Sequence, residues 1–236
     1  LSNKKDILRF IELTKLKGTI ESSQALFEST EGSLTVLAAA PPKANVIGIK
    51  GSLVVDLPAL GQLGIDNLGI LYKLIGTFPG EEVSIKKTEN KLNFATEDSK
   101  LKVSAVLQDP QYVTNTIESA KFEGALKVAK GEEFTLDKED VKKLTTYAQT
   151  IATEEFVLQG KAGELSVVLD DSKNSIVSKF PIANVKPFKV KLGKFFLDVL
   201  SVVNNTVTLS VSDDKPVYLK VEEGNIVFEY VVAPKK

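Results

Sequence analysis

The chain has 236 residues, 43% hydrophobic and 26% charged, with a formal net charge of −1, an ordinary composition for one large globular domain or two of about 100–120 residues. It has no cysteine and no histidine, which excludes disulfides, thiolate chemistry, Ser-His-Asp and Cys-His triads and the usual zinc sites. No apolar run approaches the ~18 residues of a membrane helix.

Asn3 to Lys17 reads as a helix stopped by Gly18, with Ile7, Leu8, Ile11 and Thr14 on one face and Lys5, Arg9 and Glu12 opposite. Thr19 to Phe27, Ser33 to Ala38, Val46 to Ile49 and Leu53 to Leu57 read as strands, with Gly32 in a turn and Pro41-Pro42 in a loop. Asp66 to Ile75 reads as a short helix with Leu68, Leu71, Tyr72 and Ile75 inward and Lys73 outward. Glu82 to Lys87 and Lys91 to Thr96 form a hairpin, and the alternating run Leu101 to Leu107 closes a first domain, residues 1–107. Residues 108–124 hold Asp109-Pro110 and few core candidates, and read as an interdomain connector.

The second domain, 125–236, opens with strand Ala125 to Val128 and a short extended segment, Phe134 to Leu136. A helix from Lys138 to Ala152, with Asp137 as N-cap, places Val141, Leu144, Ala148 and Ile151 on one face and Lys138, Lys142, Thr146 and Gln149 on the other, Lys143 near the edge. Strands follow at Glu155 to Gln159, Glu164 to Asp170, Ser175 to Phe180 and Phe188 to Lys191. A helix at Gly193 to Val203 buries Phe196, Val199, Leu200 and Val203 and leaves Lys194 outside; a hairpin at Thr206 to Val211 and Val217 to Glu222 and the strand Asn225 to Val232 end the chain.

The two halves read as copies. Gly32-Ser33-Leu34-Thr35-Val36-Leu37 matches Gly163-Glu164-Leu165-Ser166-Val167-Val168. A period near 130 residues is too long for a solenoid unit and means two tandem domains of one fold. In both copies the helices carry Lys or Arg opposite the apolar face. Arg9 is the only arginine among 30 basic residues. A lysine surface suits loose, sequence-blind contact with a polyanion, since lysine is a mobile point charge and arginine the rigid fork that reads bases; it equally suits a solvated, solubilising surface.

Two β-rich copies with two helices each, joined by an extended connector, resemble the DNA sliding clamps. Pro187-Phe188-Lys189-Val190-Lys191-Leu192, Lys194-Phe195-Phe196-Leu197, Thr206 to Val211, Lys215-Pro216-Val217-Tyr218-Leu219 and the ending Tyr230-Val231-Val232-Ala233-Pro234-Lys235 look like the end of proliferating cell nuclear antigen. Gln108-Asp109-Pro110, Asp137-Lys138-Glu139-Asp140-Val141 and the short N-terminus look more like the clamps of T-even-type bacteriophages. The resemblance fades around Ser52 to Leu63.

It implies an α+β fold of two tandem clamp-type domains, each with two helices on antiparallel sheet. Three chains would close into a homotrimeric ring around double-stranded DNA, bind it without sequence preference and catalyse nothing. A clamp loader and a DNA polymerase are the implied partners, with no cofactor, no metal and no membrane, inside a cell (cytoplasm or nucleoid, or a host's cytoplasm for a virus). Candidates for the DNA-facing surface are Lys5, Arg9, Lys15, Lys73, Lys138, Lys142, Lys143 and Lys194. Subunit joining in the family pairs edge strands, here Leu101, Val103, Ala105 and Leu107 with Ile176, Val177, Ser178 and Phe180. Its partner-peptide pocket falls on Val46, Val113, Pro216, Val231, Ala233 and Pro234. A clamp-like processivity subunit acting as a monomer or hetero-oligomer, and a non-enzymatic β-rich scaffold, are the alternatives.

Asp170-Asp171 and Asp213-Asp214 are paired carboxylates, but both pairs fall in hairpin turns, where Asp is favoured for local backbone bonding. Gly61-Gln62-Leu63-Gly64 lacks the spacing of a phosphate loop.

Overall fold

A computed structural model describes residues 1–16, 23–40, 47–151, 155–161, 163–170, 175–181 and 185–235. Two compact units emerge. The first holds the described residues up to Glu118 together with Glu222–Phe228; the second holds the described residues of Ser119–Val221 and those from Glu229 onward.

The first unit runs β1 (Ser2–Asn3), α1 (Lys4–Lys15), β2 (Ala25–Thr30), β3 (Ser33–Ala40), β4 (Ile47–Val54), β5 (Gly61–Ile65), α2 (Leu68–Gly76), β6 (Glu82–Thr88), β7 (Lys91–Ala95) and β8 (Lys102–Val106). Its sheets have the orders β1-β6-β7-β8 and β5-β2-β3-β4. The second unit runs α3 (Ser119–Ala129), β9 (Glu132–Leu136), α4 (Lys138–Ile151), β10 (Glu155–Lys161), β11 (Glu164–Asp170), β12 (Ser175–Pro181), β13 (Phe188–Gly193), α5 (Lys194–Val203), β14 (Val207–Val211), β15 (Val217–Glu223) and β16 (Ile226–Val232). Its orders are β9-β14-β15-β16 and β13-β10-β11-β12. The first residues of β16, Ile226–Phe228, belong to the first unit and lie beside β4.

The duplication is therefore complete in topology. From β1 to β8 and again from β9 to β16 the order is strand, helix, four strands, helix, three strands, if α3 is set aside. Adding eight to each strand number of one repeat gives the sheet orders of the other. The matched hexapeptides occupy the same place, each opening the third strand of its repeat, and Gly32 (φ 75°) and Gly163 (φ 81°) both hold the left-handed turn that precedes it.

Each unit has its own aromatic core. In the first, the fully buried Phe10 ring lies 5.5 Å from Phe27 and 5.2 Å from Phe228. In the second, Phe156 lies 5.0 Å from Phe196, and Phe134 stacks on Phe188 at 6.3 Å.

Several elements differ from the sequence reading. The stretch read as strand Ala125 to Val128 is part of helix α3. Phe122, Leu126 and Ala129 sit at the i, i+4, i+7 spacing of one helix face, and the mid-helix Gly124 disguised it. The run Leu53 to Leu57 is not a separate strand, since β4 extends to Val54; the next strand is β5, around the Gly61-Gln62-Leu63-Gly64 run. On α1, Phe10 and Leu13 are buried and Leu8 is half-buried, so the inward face is broader than Ile7, Ile11 and Thr14. Tyr72 is not inward: it is 38% exposed, beside Ile70 at 55%. Gly18, Pro41-Pro42 and Asp171 fall outside the described residues, as does the side chain of Ile151.

Candidate nucleic-acid interface

Helix α1 starts where the Asn3 side chain accepts hydrogen bonds from the backbone N–H groups of Lys5 (2.9 Å) and Asp6 (3.3 Å). It packs against α2, which Asn67 caps by accepting from the Ile70 N–H at 2.8 Å. Most of the outward charge on α1 is already engaged. Lys5, exposed, pairs with Glu81, whose hydrogen bond and charge raise the lysine pKa and lower that of Glu81. Arg9 makes a two-pronged contact with Glu223, Nε donating to Oε2 at 2.8 Å and Nη2 to Oε1 at 2.7 Å, and Nη1 donates to Glu12 at 2.8 Å. Burial works against its charge, but the hydrogen bonds to Glu223 and Glu12 outweigh it and hold the guanidinium pKa above its ordinary value. Lys15 is half-buried, its Cε close to Gly69 of α2. Lys73 on α2 is exposed, but its neighbours Ile70 and Tyr72 leave that face largely uncharged.

Helix α4 presents a different surface. Asp137 caps it, accepting from the Asp140 N–H at 2.8 Å, and Val141, Leu144 and Ala148 are buried. Lys138, Lys142, Lys143, Thr146, Gln149 and Thr150 are all exposed. Lys138 and Lys142 have no carboxylate partner among the described residues, and Lys143 has a loose one, Asp140 at 3.5 Å. Thr146 and Thr150 turn their hydroxyls back to the carbonyls of Lys142 (2.8 Å) and Thr146 (2.9 Å). Helix α5 packs against α4 and buries Phe196, Val199, Leu200 and Val203. Its exposed Lys194 stands at the first helical position after Gly193, which supplies no side-chain cap, so the cation sits at the positive end of the helix dipole.

Among the strands that end a sheet are β8, beside β7, and β12, beside β11. Val103 and Ala105 face Phe94 and Leu92 across the ladder and are half-buried, like Leu101 and Leu107, while Val106 is 69% exposed. On β12, Ile176, Ser178 and Phe180 pair with the buried Leu169, Val167 and Leu165, while Val177 is 54% exposed. Leu101, Val103, Ala105 and Leu107 thus lie on the inward-facing parity of β8, and Val106 on the outward one.

The connector is strapped to the first unit. The Ala39 N–H donates to the Asn115 carbonyl at 2.8 Å, the Asn115 side chain donates to the Gln24 carbonyl at 3.1 Å, and the Gln108 N–H donates to the Gly64 carbonyl at 2.8 Å. A 3-10 turn at Pro110–Tyr112 leaves Tyr112 64% exposed. Val113 of the first unit is buried. In the second, Val231 is buried and Pro216, Ala233 and Pro234 are half-exposed. Val46 falls outside the described residues. Asp213 accepts from the Lys189 N–H of β13 at 2.8 Å, a bond to another strand and not to the backbone of its own turn.

No protein-family model matches the sequence, and no curated protein does. Solved structures do. The proliferating cellular nuclear antigen of Entamoeba histolytica superposes with a TM-score of 0.79 at 15% identity, over 99% of this chain and 96% of that one. The A. fulgidus PCNA solved with the C-terminal region of FEN-1 bound superposes with a TM-score of 0.78 at 15% identity, over 100% of this chain and 98% of that one. With whole-chain coverage on both sides, the architecture built up above, two α+β repeats each carrying a packed helix pair, is the DNA sliding-clamp fold.

Proposed function

We propose that this chain is a sliding clamp: three copies close into a ring around duplex DNA and tether a replicative DNA polymerase, and the protein catalyses no reaction itself. The observation that carries the reading is the repeated frame of strand, helix, four strands, helix and three strands, with a packed helix pair in each unit and lysines on the outer face of α4. Duplex DNA is a dense line of phosphates, and lysine contacts attract it without fixing a register. The formal net charge of −1 fits a protein whose positive charge is gathered on one surface.

Subunits join, in this reading, through β8 of one chain and β12 of the next. A clamp loader opens the ring, and partner peptides dock by the connector near Val46, Val113, Pro216, Val231, Ala233 and Pro234. The domain limits are 1–107 and 125–236, with 108–124 as connector.

Light scattering on the purified chain tests the ring directly. The expected solution mass is about three times 25.6 kDa; a stable monomer at micromolar concentration would overturn the trimer. Loaded protein is retained on circular duplex and runs off the ends of linear duplex; equal retention on both points instead to a scaffold that does not encircle DNA.

A further inference from the structure

Resting on the clamp reading, we infer that the duplex is held by the second repeat alone, through Lys138, Lys142 and Lys143 of α4, and that Lys5 and Arg9 of α1 serve the fold of the first repeat instead. The two repeats share one topology, and on topology alone a ring of them would present similar helix pairs to DNA twice per chain. Their charges do not follow that symmetry.

A cation can neutralise a phosphate only if it is not already neutralised. Arg9 donates three hydrogen bonds to two carboxylates, in a fork whose geometry leaves little of its charge to offer. Reaching a phosphate would strand Glu223, whose side chain is only 17% exposed. Lys5 is held by Glu81. Next to them, the outer face of α2 offers Ile70 and Tyr72 around its one lysine, Lys73.

On α4 the situation is reversed. Lys138 and Lys142 are one helical step of four residues apart, a rise of about 6 Å, and lie on one stripe. Neither has a carboxylate partner among the described residues, and the Asp140 contact of Lys143 is long enough to exchange. Threonine hydroxyls continue the stripe without adding an acidic group that would repel phosphate. The electrostatic grip of such a ring repeats three times around the duplex and not six.

The test is the salt dependence of equilibrium binding to a fluorescein-labelled duplex of about 40 base pairs, followed by anisotropy with the full chain. Each phosphate that the protein no longer neutralises makes the slope of log K against log salt shallower by about 0.9. The variant K138Q/K142Q/K143Q is expected to bind at least tenfold more weakly, with a visibly shallower slope. K5Q, and R9Q combined with E223Q so that no buried carboxylate is left unpaired, are expected to bind within twofold of wild type, with folding confirmed by circular dichroism. A folded R9Q/E223Q or K5Q variant weakened as much as the α4 variant overturns the inference, as does an α4 variant indistinguishable from wild type. Wild-type protein that binds no duplex even at low salt overturns the clamp reading itself.

Discussion

At the residue scale the molecule is dominated by one arginine. Arg9 joins α1 to the β15–β16 turn region through Glu223 and to its own helix through Glu12. Removing one member of a largely desolvated pair leaves the other without compensation. Arg9→Met is therefore expected to cost about 1–3 kcal/mol in urea unfolding, and Arg9→Met with Glu223→Met to recover most of it; equal losses in the single and double variants would show that the arginine acts by packing alone. Phe10, fully buried between Phe27 and Phe228, is the residue whose removal the first unit tolerates least: Phe10→Ala is expected to cost about 3–5 kcal/mol in the same measurement. The sequence marked Arg9 as a basic residue opposite an apolar face, and it is one. Its partner Glu223 lies 214 positions away, and no local pattern names such a pairing.

At the scale of elements, the amphipathic helices and hairpins were the most legible part of the chain. The Asp137 cap follows from N-cap chemistry, and the α4 face of Val141, Leu144 and Ala148 and the α5 face of Phe196, Val199, Leu200 and Val203 from 3.6-residue spacing. Helix α3 was illegible for the opposite reason: only Phe122 and Ala129 are buried on it, so its apolar stripe is thin and a glycine interrupts it. Strand β5 carries three consecutive buried residues at its end, a pattern that alternation does not flag. The parity of β8 was equally hidden, because both sets of alternate residues contain valine. It matters for assembly. If β8 and β12 pair between chains, Val106→Asp with Val177→Asp places like charges at the joined edges, and gel filtration is expected to show monomer with an unchanged circular dichroism spectrum. A retained trimer would place the interface elsewhere.

At the scale of the whole molecule, composition sets the response to pH. No side-chain type present has an ordinary pKa between about 4.5 and about 10, and the ion pairs push their members further outward. Lys191 and Lys235 hydrogen-bond Glu155 and hold its carboxyl low, Lys179 does the same for Glu164, and Glu81 pushes Lys5 up. A lowered carboxyl contributes stability that is complete above its ordinary value of 4.5 and is lost as pH falls through the folded-state value. A raised lysine contributes stability that is present below 10.5 and lost as pH rises through its folded-state value. Thermal unfolding at fixed ionic strength is thus expected to show a flat plateau from about pH 6 to pH 9, falling on the acid side only below the carboxylate range. DNA retention is expected to be level over the same span while falling steeply with salt.

The two edge strands of the proposed joint, β8 and β12, are unlike each other. A surface that pairs one kind of edge with the other is heterologous: each joining event consumes one of each and leaves one of each at the ends of the growing string. Such a string has only two fates, closure on itself or continued growth as a helical filament, and the rotation per step decides between them. A small change in the angle at which β8 meets β12 would then convert a ring into a fibre without altering any chain's own fold, and negative-stain microscopy of interface variants is where that outcome would first be seen.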